Sequence, residues 1–206
     1  MNDNIKIKNA IISVHDKTGI KYFYNELQKI NPQNRIFSSG GTYKELKEVA
    51  TNLIEISEHT GFAEMPEGLV KTLHPKIHGG ILGNEKQEQF MKENGIEKFD
   101  LVIINLYPFS NSMNENIEKA RTNIDIGGVS LIEAGCKNFL RVCVITSPRD
   151  YERFLENLRE NNGETSLSLR LNLATVSLHR LAKYLTEISE YFALLDEESV
   201  KKEYLK

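Results

Sequence analysis

The chain has 206 residues, and its 26 Lys and Arg nearly balance its 29 Asp and Glu, which leaves a formal net charge of -3. This length allows one substantial hydrophobic core without disulfides or a structural metal. The near-neutral balance gives no electrostatic reason to expect nucleic acid or an anionic membrane as a partner. No segment approaches the roughly 20 apolar residues of a membrane span, and the first apolar run is too short for a signal peptide. We therefore expect a cytoplasmic protein.

The first two thirds of the chain alternate short apolar runs with amphipathic segments. This pattern predicts strands at 10–14, 35–38, 53–56, 101–105 and 142–146, with helices at 20–30, 43–50, 85–94, 114–121 and 129–137 between them. Strands that alternate with helices are typical of a parallel sheet with right-handed crossovers. The expected fold class is therefore α/β, a parallel sheet flanked by helices.

The last third is predicted to be helical, with no strand after Pro148. Apolar residues at helical spacing predict one helix near 151–158 and a long one from Leu167 to about Leu195, separated by a helix stop at Gly163. We expect an α/β core over residues 1–147 and a helical C-terminal part of the same domain over residues 148–206. The charged C-terminal end is predicted to be solvated.

The stretch from Thr60 to Gly83 is crowded with Gly, Pro, His, Lys and Thr, which is typical of an ordered polar loop. We expect Lys71, Thr72 and His74 to project from a non-helical segment. Ordered loops of this kind are common places for chemistry.

Polar clusters also follow the predicted strands, and ligands of open parallel sheets bind beyond the carboxyl ends of the strands. The clusters are 13–17, 39–42, 105–108 and Ser147. The Ser-Gly-Gly-Thr segment at 39–42 fits a phosphate-binding turn, because two glycines let the backbone approach an anion while hydroxyl and N–H groups donate to it. Taken alone, the same four residues fit an ordinary capped turn better.

Single residues in these clusters leave alternatives open. Lys17 and Lys71 fit either cations at an anion site or solvated surface charges. Asp125 lies before a glycine pair and fits either a helix cap or a catalytic acid or base. Tyr107 fits either a ligand contact or a packed ring with a satisfied hydroxyl.

Metal and nucleophile chemistry is not indicated. His74 and His78 are separated by Pro75 and have no carboxylate or cysteine set nearby, so we expect no metal. The spacing of Cys136 and Cys143 suits neither a CxxC redox pair nor a zinc knuckle, which predicts two reduced core thiols. There is no GxSxG nucleophile motif.

Read together, several segments resemble the inosine monophosphate (IMP) cyclohydrolase domain, the N-terminal half of a bifunctional enzyme of purine nucleotide synthesis. The matching segments are SVHDKTG at 13–19, SGGT at 39–42, TGFAEM at 60–65, VKTLHPKIHGGIL at 70–82, NLYPF at 105–109, NIDIGG at 123–128 and Lys137-Asn138. The likeness covers most of the chain. It implies a methylglyoxal-synthase-like fold, in agreement with the pattern of predicted elements.

The resemblance implies a reaction that needs no cofactor, the closure of a formamido-imidazole-carboxamide ribonucleotide to IMP with loss of water. It implies four catalytic residues: Lys71, Tyr107, Asp125 and Lys137. The implied substrate-binding residues are Ser13, Lys17, Ser39, Gly40, Gly41, Thr42, Thr72, Asn105, Ile126 and Gly127. The implied partners are a small purine ribonucleotide, a second copy in a homodimer, and a fused or separate formyltransferase.

The carboxamide nitrogen is a poor nucleophile, so the site must hold it against the formyl carbon, accept its proton and stabilise the formyl oxygen. Our hypothesis is that Asp125 accepts the proton, that Lys137 donates towards the oxygen, and that Lys71 and Tyr107 fix it. We expect the carboxylate and the Lys137 ammonium to lie on either side of the closing ring.

Two departures from the family pattern remove cations, because Leu69 and Glu133 stand where the family has Arg. We therefore expect weakened activity. The alternative function is a regulatory domain of the same fold that senses a phosphorylated metabolite. Binding alone needs no acid and base, so Asp125 and Lys137 favour the enzyme. Methylglyoxal synthase chemistry is disfavoured by the NLYPF and TGFAEM segments.

Overall fold

A computed structural model describes residues 3–66, 69–112 and 116–204. The strands of its main sheet are β2 Asn9–Val14, β3 Arg35–Ser38, β4 Leu53–Glu55, β5 Leu101–Asn105 and β6 Cys143–Ile145. All five are parallel and lie in the order β4-β3-β2-β5-β6. A separate antiparallel pair joins β1 Ile5–Lys6 to β7 Glu164–Thr165. The expected α/β class with a parallel sheet is confirmed.

Ten α-helices are present in the described ranges. They are α1 Ile20–Ile30, α2 Gly40–Leu46, α3 Ile56–Thr60, α4 Pro75–Leu82, α5 Glu88–Glu93, α6 Ile117–Thr122, α7 Ile126–Lys137, α8 Tyr151–Glu160, α9 Leu167–Leu194 and α10 Glu197–Tyr204. Within the same ranges, no helix combines the length and the apolar character that crossing a membrane requires.

The sheet is covered on both faces, which explains why its central strands are continuous apolar runs. One face carries a core that includes Phe23 of α1 and Phe154 of α8. The other face carries a core that includes Leu131 of α7 and Leu181 of α9. The C-terminal helices thus pack onto both faces of the sheet, and the proposed boundary at residue 147 stays a prediction. Cys136 and Cys143 are free and buried, as expected, and burial raises the pKa of each thiol to about 12.

The non-helical prediction is wrong for residues 75–82, which form α4. Pro75 occupies the first helical turn, where its missing N–H costs nothing, and the His74 ring accepts a hydrogen bond from the Lys76 backbone N–H at 3.1 Å. Gly80 allows close packing, because a Cβ there would lie 2.1 Å from the Glu97 carbonyl oxygen. Glycine here serves helix packing and does not mark a loop.

Several other boundaries differ from the predictions. Helix α2 begins at Gly40 and ends at Leu46, earlier at both ends than predicted, and α7 begins at Ile126. Ile56 starts α3 instead of ending a strand. The charged end forms α10, whose Glu203 accepts hydrogen bonds from two backbone N–H groups of α6. The predicted helix at 114–121 begins partly outside the described residues.

The prediction of no strand after Pro148 is also wrong, because β7 pairs with β1. Arg170 holds this region together from a position that is 1% exposed. Its guanidinium donates to the carbonyl oxygens of Asp3 (2.7 Å), Phe139 (3.1 Å) and Leu140 (3.0 Å), and also to Thr165. Burial lowers the pKa of Arg170. One side chain therefore joins the N-terminus, the α7–β6 turn and the start of α9.

Replacing Arg170 by Met should reduce the free energy of unfolding by about 3 kcal/mol or more, because several buried carbonyl groups lose a charged donor. Urea unfolding followed by circular dichroism measures the change. Arg153→Met, at an exposed position of α8, is the matched control and should cost less than about 1 kcal/mol. Equal losses in the two variants would contradict this role for Arg170.

Candidate functional site

The candidate site lies at the carboxyl ends of β2, β3 and β5, where the sequence predicted it. Two lysines lie against the Gly40-Gly41 turn that follows β3. Lys71 Nζ lies 2.8 Å from where a Cβ on Gly40 would be, and Lys17 Nζ lies 3.6 Å from the corresponding position on Gly41. Gly40 has a φ of 54°, a conformation that other residues rarely adopt. Two ammonium groups therefore lie against the two glycines that begin α2.

The residue after Lys71 reaches the start of α7. Thr72 is buried, and its Oγ1 lies 2.8 Å from where a Cβ on Gly127 would be. The next glycine is also enclosed, because a Cβ on Gly128 would lie 2.7 Å from Leu106 Cδ2. The Lys71-Thr72 dipeptide thus links the Gly40 turn to the beginning of α7.

Asp125 is the N-cap of α7, so the cap alternative describes its local structure. Its Oδ1 accepts a hydrogen bond from the Gly128 N–H at 2.7 Å, and its own N–H donates to the Tyr184 hydroxyl at 2.8 Å. Burial raises the pKa of the Asp125 carboxyl, and the Gly128 hydrogen bond opposes the shift without cancelling it. A carboxylate with a raised pKa is a stronger proton acceptor, so the cap and the base alternatives are compatible.

The segment after β5 closes the side of the site next to β2. The rings of Tyr107 and His15 have centroids 4.5 Å apart, and Tyr107 is 47% exposed. The Asn105 amide accepts from the Asp16 N–H at 2.7 Å and donates to the Asp16 carbonyl at 2.8 Å. Asn105 therefore fixes the loop that carries His15 and Lys17, and Tyr107 leaves much of its side chain open to a ligand.

Three other predicted substrate contacts have specific environments. The Thr42 hydroxyl both donates to and accepts from the backbone of Val14 at 3.0 Å, so it positions α2 and is not free for a ligand. Ser13 is half-buried on β2, next to Ile104 of β5. Ile126 is exposed at the first position of α7.

Lys137 does not lie beside Asp125 in the same chain. Asp125 caps the first turn of α7 and Lys137 is its last residue. At a rise of 1.5 Å per residue, their Cα atoms are about 18 Å apart. The expectation that the two groups flank one ring is therefore wrong within one chain, because a continuous helix separates them. Lys137 is exposed.

Two residues near the site were not predicted. Glu64 Oε1 lies 2.7 Å from Lys71 Nζ, and both side chains line a cavity of about 310 Å³ with Ser39 and His74. Glu64 belongs to the TGFAEM segment, which supports the family resemblance but suggests no role for this residue. Tyr184 lies far along the chain on α9, and no local sequence signal links it to Asp125.

The structure also shows the two positions at which this chain lacks an arginine of the family pattern. Leu69 and Glu133 are both exposed, so the side chains at these positions bring no positive charge to the site. Over the described residues, no cluster of His, Cys, Asp and Glu has a geometry that could hold a metal ion.

Comparison with known proteins agrees with this architecture. A family model described as the MGS-like domain matches residues 19–130, which is more than half of the chain. The chain belongs to the MGS-like domain family. A second model, described as the AICARFT/IMPCHase bienzyme, matches residues 135–206. The family resemblance inferred from the motifs is therefore confirmed.

Similar proteins include the bifunctional purine biosynthesis protein PurH of Magnetococcus marinus, 44% identical over 94% of this chain and 37% of that protein. PurH of Clostridium botulinum is 45% identical over 93% of this chain and 38% of that protein. The chain thus spans little more than a third of these relatives. The crystal structure of ForH superposes with a TM-score of 0.76 and 28% identity, covering 90% of this chain and 98% of that one.

Asp125→Asn should make this MGS-like domain more stable at pH 7, by on the order of 1 kcal/mol, because Asn keeps the cap acceptor and removes a buried charge. The folded pKa of Asp125 is raised, so its contribution to stability is present below the unfolded pKa of about 3.9 and is lost as the pH rises through the folded value. The gain should therefore disappear near pH 3.5.

Urea unfolding at several pH values measures this difference. Asp16→Asn is the control of opposite sign, because hydrogen bonds from Thr18 lower the pKa of Asp16, and it should bring no gain at pH 7. A clear loss of stability in Asp125→Asn at pH 7 would contradict the assignment of a raised pKa.

Gly40→Ala should weaken the binding of ribose 5-phosphate at least fivefold, because a Cβ would fill the space in front of the turn and keep a phosphate away from its backbone N–H groups. Gly61→Ala is the matched control, since Gly61 has a φ of 72° and nothing within 4 Å of an added Cβ. It adds backbone strain without a clash. Isothermal titration calorimetry measures both affinities, and equal binding by the two variants would argue against an anion site at Gly40.

Proposed function

We propose that the protein is an IMP cyclohydrolase, which closes the formamido-imidazole-carboxamide ribonucleotide to IMP. One observation carries the proposal. Lys17 and Lys71 lie against the Gly40-Gly41 turn, and the next residue, Thr72, contacts the first turn of α7, which the half-buried Asp125 caps. An anion grip and a carboxylate of raised pKa within one site are what a phosphorylated substrate and a proton transfer require.

In the proposed reaction the carboxamide nitrogen attacks the formyl carbon and forms a C–N bond. The nitrogen gives one proton to Asp125, and that proton is passed to the formyl oxygen. As the C–O bond breaks, the formamido nitrogen gives its proton to the leaving hydroxyl, so the oxygen leaves as water and the new ring keeps a C=N bond. No electron donor or acceptor is needed, and the atoms balance without a cofactor.

The start of α7 supplies donors for the formyl oxygen. The first N–H groups of a helix have no partner within the helix, and Asp125 engages only that of Gly128. The N–H groups of Ile126 and Gly127 thus suit the negative charge that develops on the oxygen. Lys71 and Tyr107 complete this set, while Lys17 and the Gly40-Gly41 backbone bind the phosphate.

Lys137 belongs to this catalytic set only as a residue of a second copy, because the length of α7 keeps it away from the Asp125 of its own chain. We therefore propose a homodimer in which the ammonium of one chain approaches the substrate of the other. A formyltransferase, fused in the PurH relatives as a bifunctional protein, would supply the substrate. Two free thiols and the substrate class favour the cytoplasm.

A regulatory domain that senses a phosphorylated metabolite would use the same phosphate grip. It would have no use for a half-buried carboxylate of raised pKa beside unpaired helix N–H groups. The geometry around Asp125 therefore supports catalysis over sensing.

The direct test is to incubate the protein with the formylated ribonucleotide and to follow ring closure by ultraviolet absorbance. The protein should produce IMP, and Asp125→Asn and Lys137→Gln should each lose at least 100-fold in turnover. Co-refolding the two variants in equal amounts should restore about a quarter of the activity, because half of the dimers are mixed and each mixed dimer has one intact site.

Absence of ring closure in the unmodified protein would contradict the proposed function. Full loss in Lys137→Gln without recovery in the mixture would contradict the contribution from a second copy. Ribose 5-phosphate binding by both variants controls for folding.

A further inference from the structure

A groove lies at the edge of the main sheet opposite to the candidate site. Asn9, at the start of β2, and Asp100, the residue before β5, both line it. The candidate site lies at the carboxyl ends of the same strands. Because β5 has five residues, the strand alone separates the two places by roughly 13 Å. The groove has a volume of about 630 Å³, which is in the range of small-molecule sites.

Most of the charged residues that line this groove are cations. The cations are Lys6, Lys8, Lys92, Lys98 and Arg141, and the acids are Glu88 and Asp100. The whole chain has a formal net charge of -3, so the positive excess is local to the groove. Such a lining attracts anions.

The two acids of the groove each have a cationic partner. Asp100 Oδ1 accepts a hydrogen bond from Arg141 Nη1 at 3.2 Å. Glu88 Oε2 lies 3.7 Å from Lys98 Nζ. These two pairs balance four of the charges, and the remaining charges of the lining are all positive.

The remaining charges belong to three exposed lysines. Within the described part of the chain, Lys6, Lys8 and Lys92 form no ion pair. Lys6 and Lys8 lie on either side of Ile7, which is 1% exposed, whereas Lys92 belongs to α5. Two separate segments therefore bring ammonium groups without a counter-ion to the same groove.

Buried hydrogen bonds hold the walls of the groove in place. Arg141 Nη2 donates to the carbonyl oxygens of Gly80 and Ile81, both at 2.8 Å. Asp100 Oδ2 accepts from the backbone N–H of Lys8 at 2.9 Å. The backbone that carries the lysine is thus ordered before a ligand arrives, which reduces the entropic cost of binding.

The groove also has an apolar part. Ile5 and Ile96 line it and are partly exposed, and Met91 lines it from α5. An aromatic ring can pack on such side chains, whereas a small inorganic anion gains nothing from them. The lining therefore suits a molecule that combines a ring with several negative charges.

We propose that the groove binds a nucleoside triphosphate, with the phosphate chain on Lys6, Lys8 and Lys92 and the base on Ile5 and Ile96. Ammonium groups donate charge-assisted hydrogen bonds to phosphate oxygens, and three ammonium groups without a counter-ion match a chain of three phosphates. Nucleic acid fits less well, because its backbone needs cations that continue beyond one groove, and the chain as a whole is acidic.

Isothermal titration calorimetry of the whole protein with ATP, in buffer free of Mg²⁺ and phosphate, tests this site. The unmodified protein should bind ATP. Lys8→Gln combined with Lys92→Gln should weaken ATP binding about tenfold or more, because two charge-assisted hydrogen bonds are lost. Both side chains are exposed, and the hydrogen bond of Lys8 to Asp100 uses the backbone, so the variant should keep its affinity for ribose 5-phosphate.

Three further variants control for misfolding, for total charge and for the location of ATP. Glu88→Gln removes an exposed carboxylate from the groove and should strengthen ATP binding about threefold, which a damaged fold would not do. Lys183→Gln combined with Lys202→Gln removes two exposed lysines of α9 and α10 and should leave the affinity unchanged. Lys17→Gln, at the candidate site, should also bind ATP normally.

Absence of ATP binding, or equal weakening by the two double variants, would overturn the proposal. Loss of ATP binding in Lys17→Gln would locate the ATP at the candidate site and overturn it as well. Inorganic triphosphate that binds as tightly as ATP would overturn the assignment of a nucleoside. A single-stranded oligonucleotide that binds more tightly than ATP would overturn the assignment of a small molecule.

Discussion

The site depends on one steric constraint. The side chains of the Lys71-Thr72 dipeptide pack closely against two glycines, Gly40 and Gly127, in different parts of the chain. On one side the Lys71 ammonium lies against Gly40, and on the other the Thr72 hydroxyl lies against Gly127, each 2.8 Å from where a Cβ would be. A Cβ at either glycine would have to displace the tip of the Lys71 or the Thr72 side chain. Because Gly40 follows β3 and Gly127 lies in the first turn of α7, this contact joins the proposed anion-binding turn to the carboxylate of Asp125. Both ends of the proposed substrate site therefore contact the same short segment.

The charged groups of the site lie at the two ends of this Lys71-Thr72 contact. Two ammonium groups flank the Gly40-Gly41 turn, whereas burial holds the Asp125 carboxyl at a raised pKa at the other end. Glu64 binds Lys71 and limits the free positive charge near the turn. Burial of Asp125 costs stability at neutral pH, and the N-cap hydrogen bond to Gly128 offsets part of that cost. A buried carboxyl whose desolvation is only partly offset, and whose pKa is therefore raised, is typical of residues that take part in a reaction.

Much of the fold could be predicted from the sequence, because the apolar runs of β2, β3, β5 and β6 and the helical spacing of α9 are strong local signals. The polar clusters that follow the strands also predicted that Lys17, Gly40 and Gly41 lie at the carboxyl edge of the sheet, where the structure has them. Local signals failed where packing decides. Glycine in α4 marks close contact with Glu97 and not a loop, and β7 forms only because β1 lies beside it.

The position of Lys137 relative to Asp125 was predicted wrongly, although the helix predicted at 129–137 already lies between the two residues. The hypothesis followed the motifs shared with the family, which list the two residues as one catalytic set. In the structure, α7 separates Asp125 from Lys137 by about three helical turns. The contact between Tyr184 and Asp125, like that between Glu64 and Lys71, depends on tertiary structure alone.

The most direct measurement is a crystal structure of the protein with bound IMP. The account predicts that the phosphate lies within hydrogen-bond distance of the Gly40-Gly41 backbone and Lys17, and that the purine lies beside Asp125 and the first turn of α7. A nucleotide bound elsewhere, or a purine directed away from Asp125, would contradict the account.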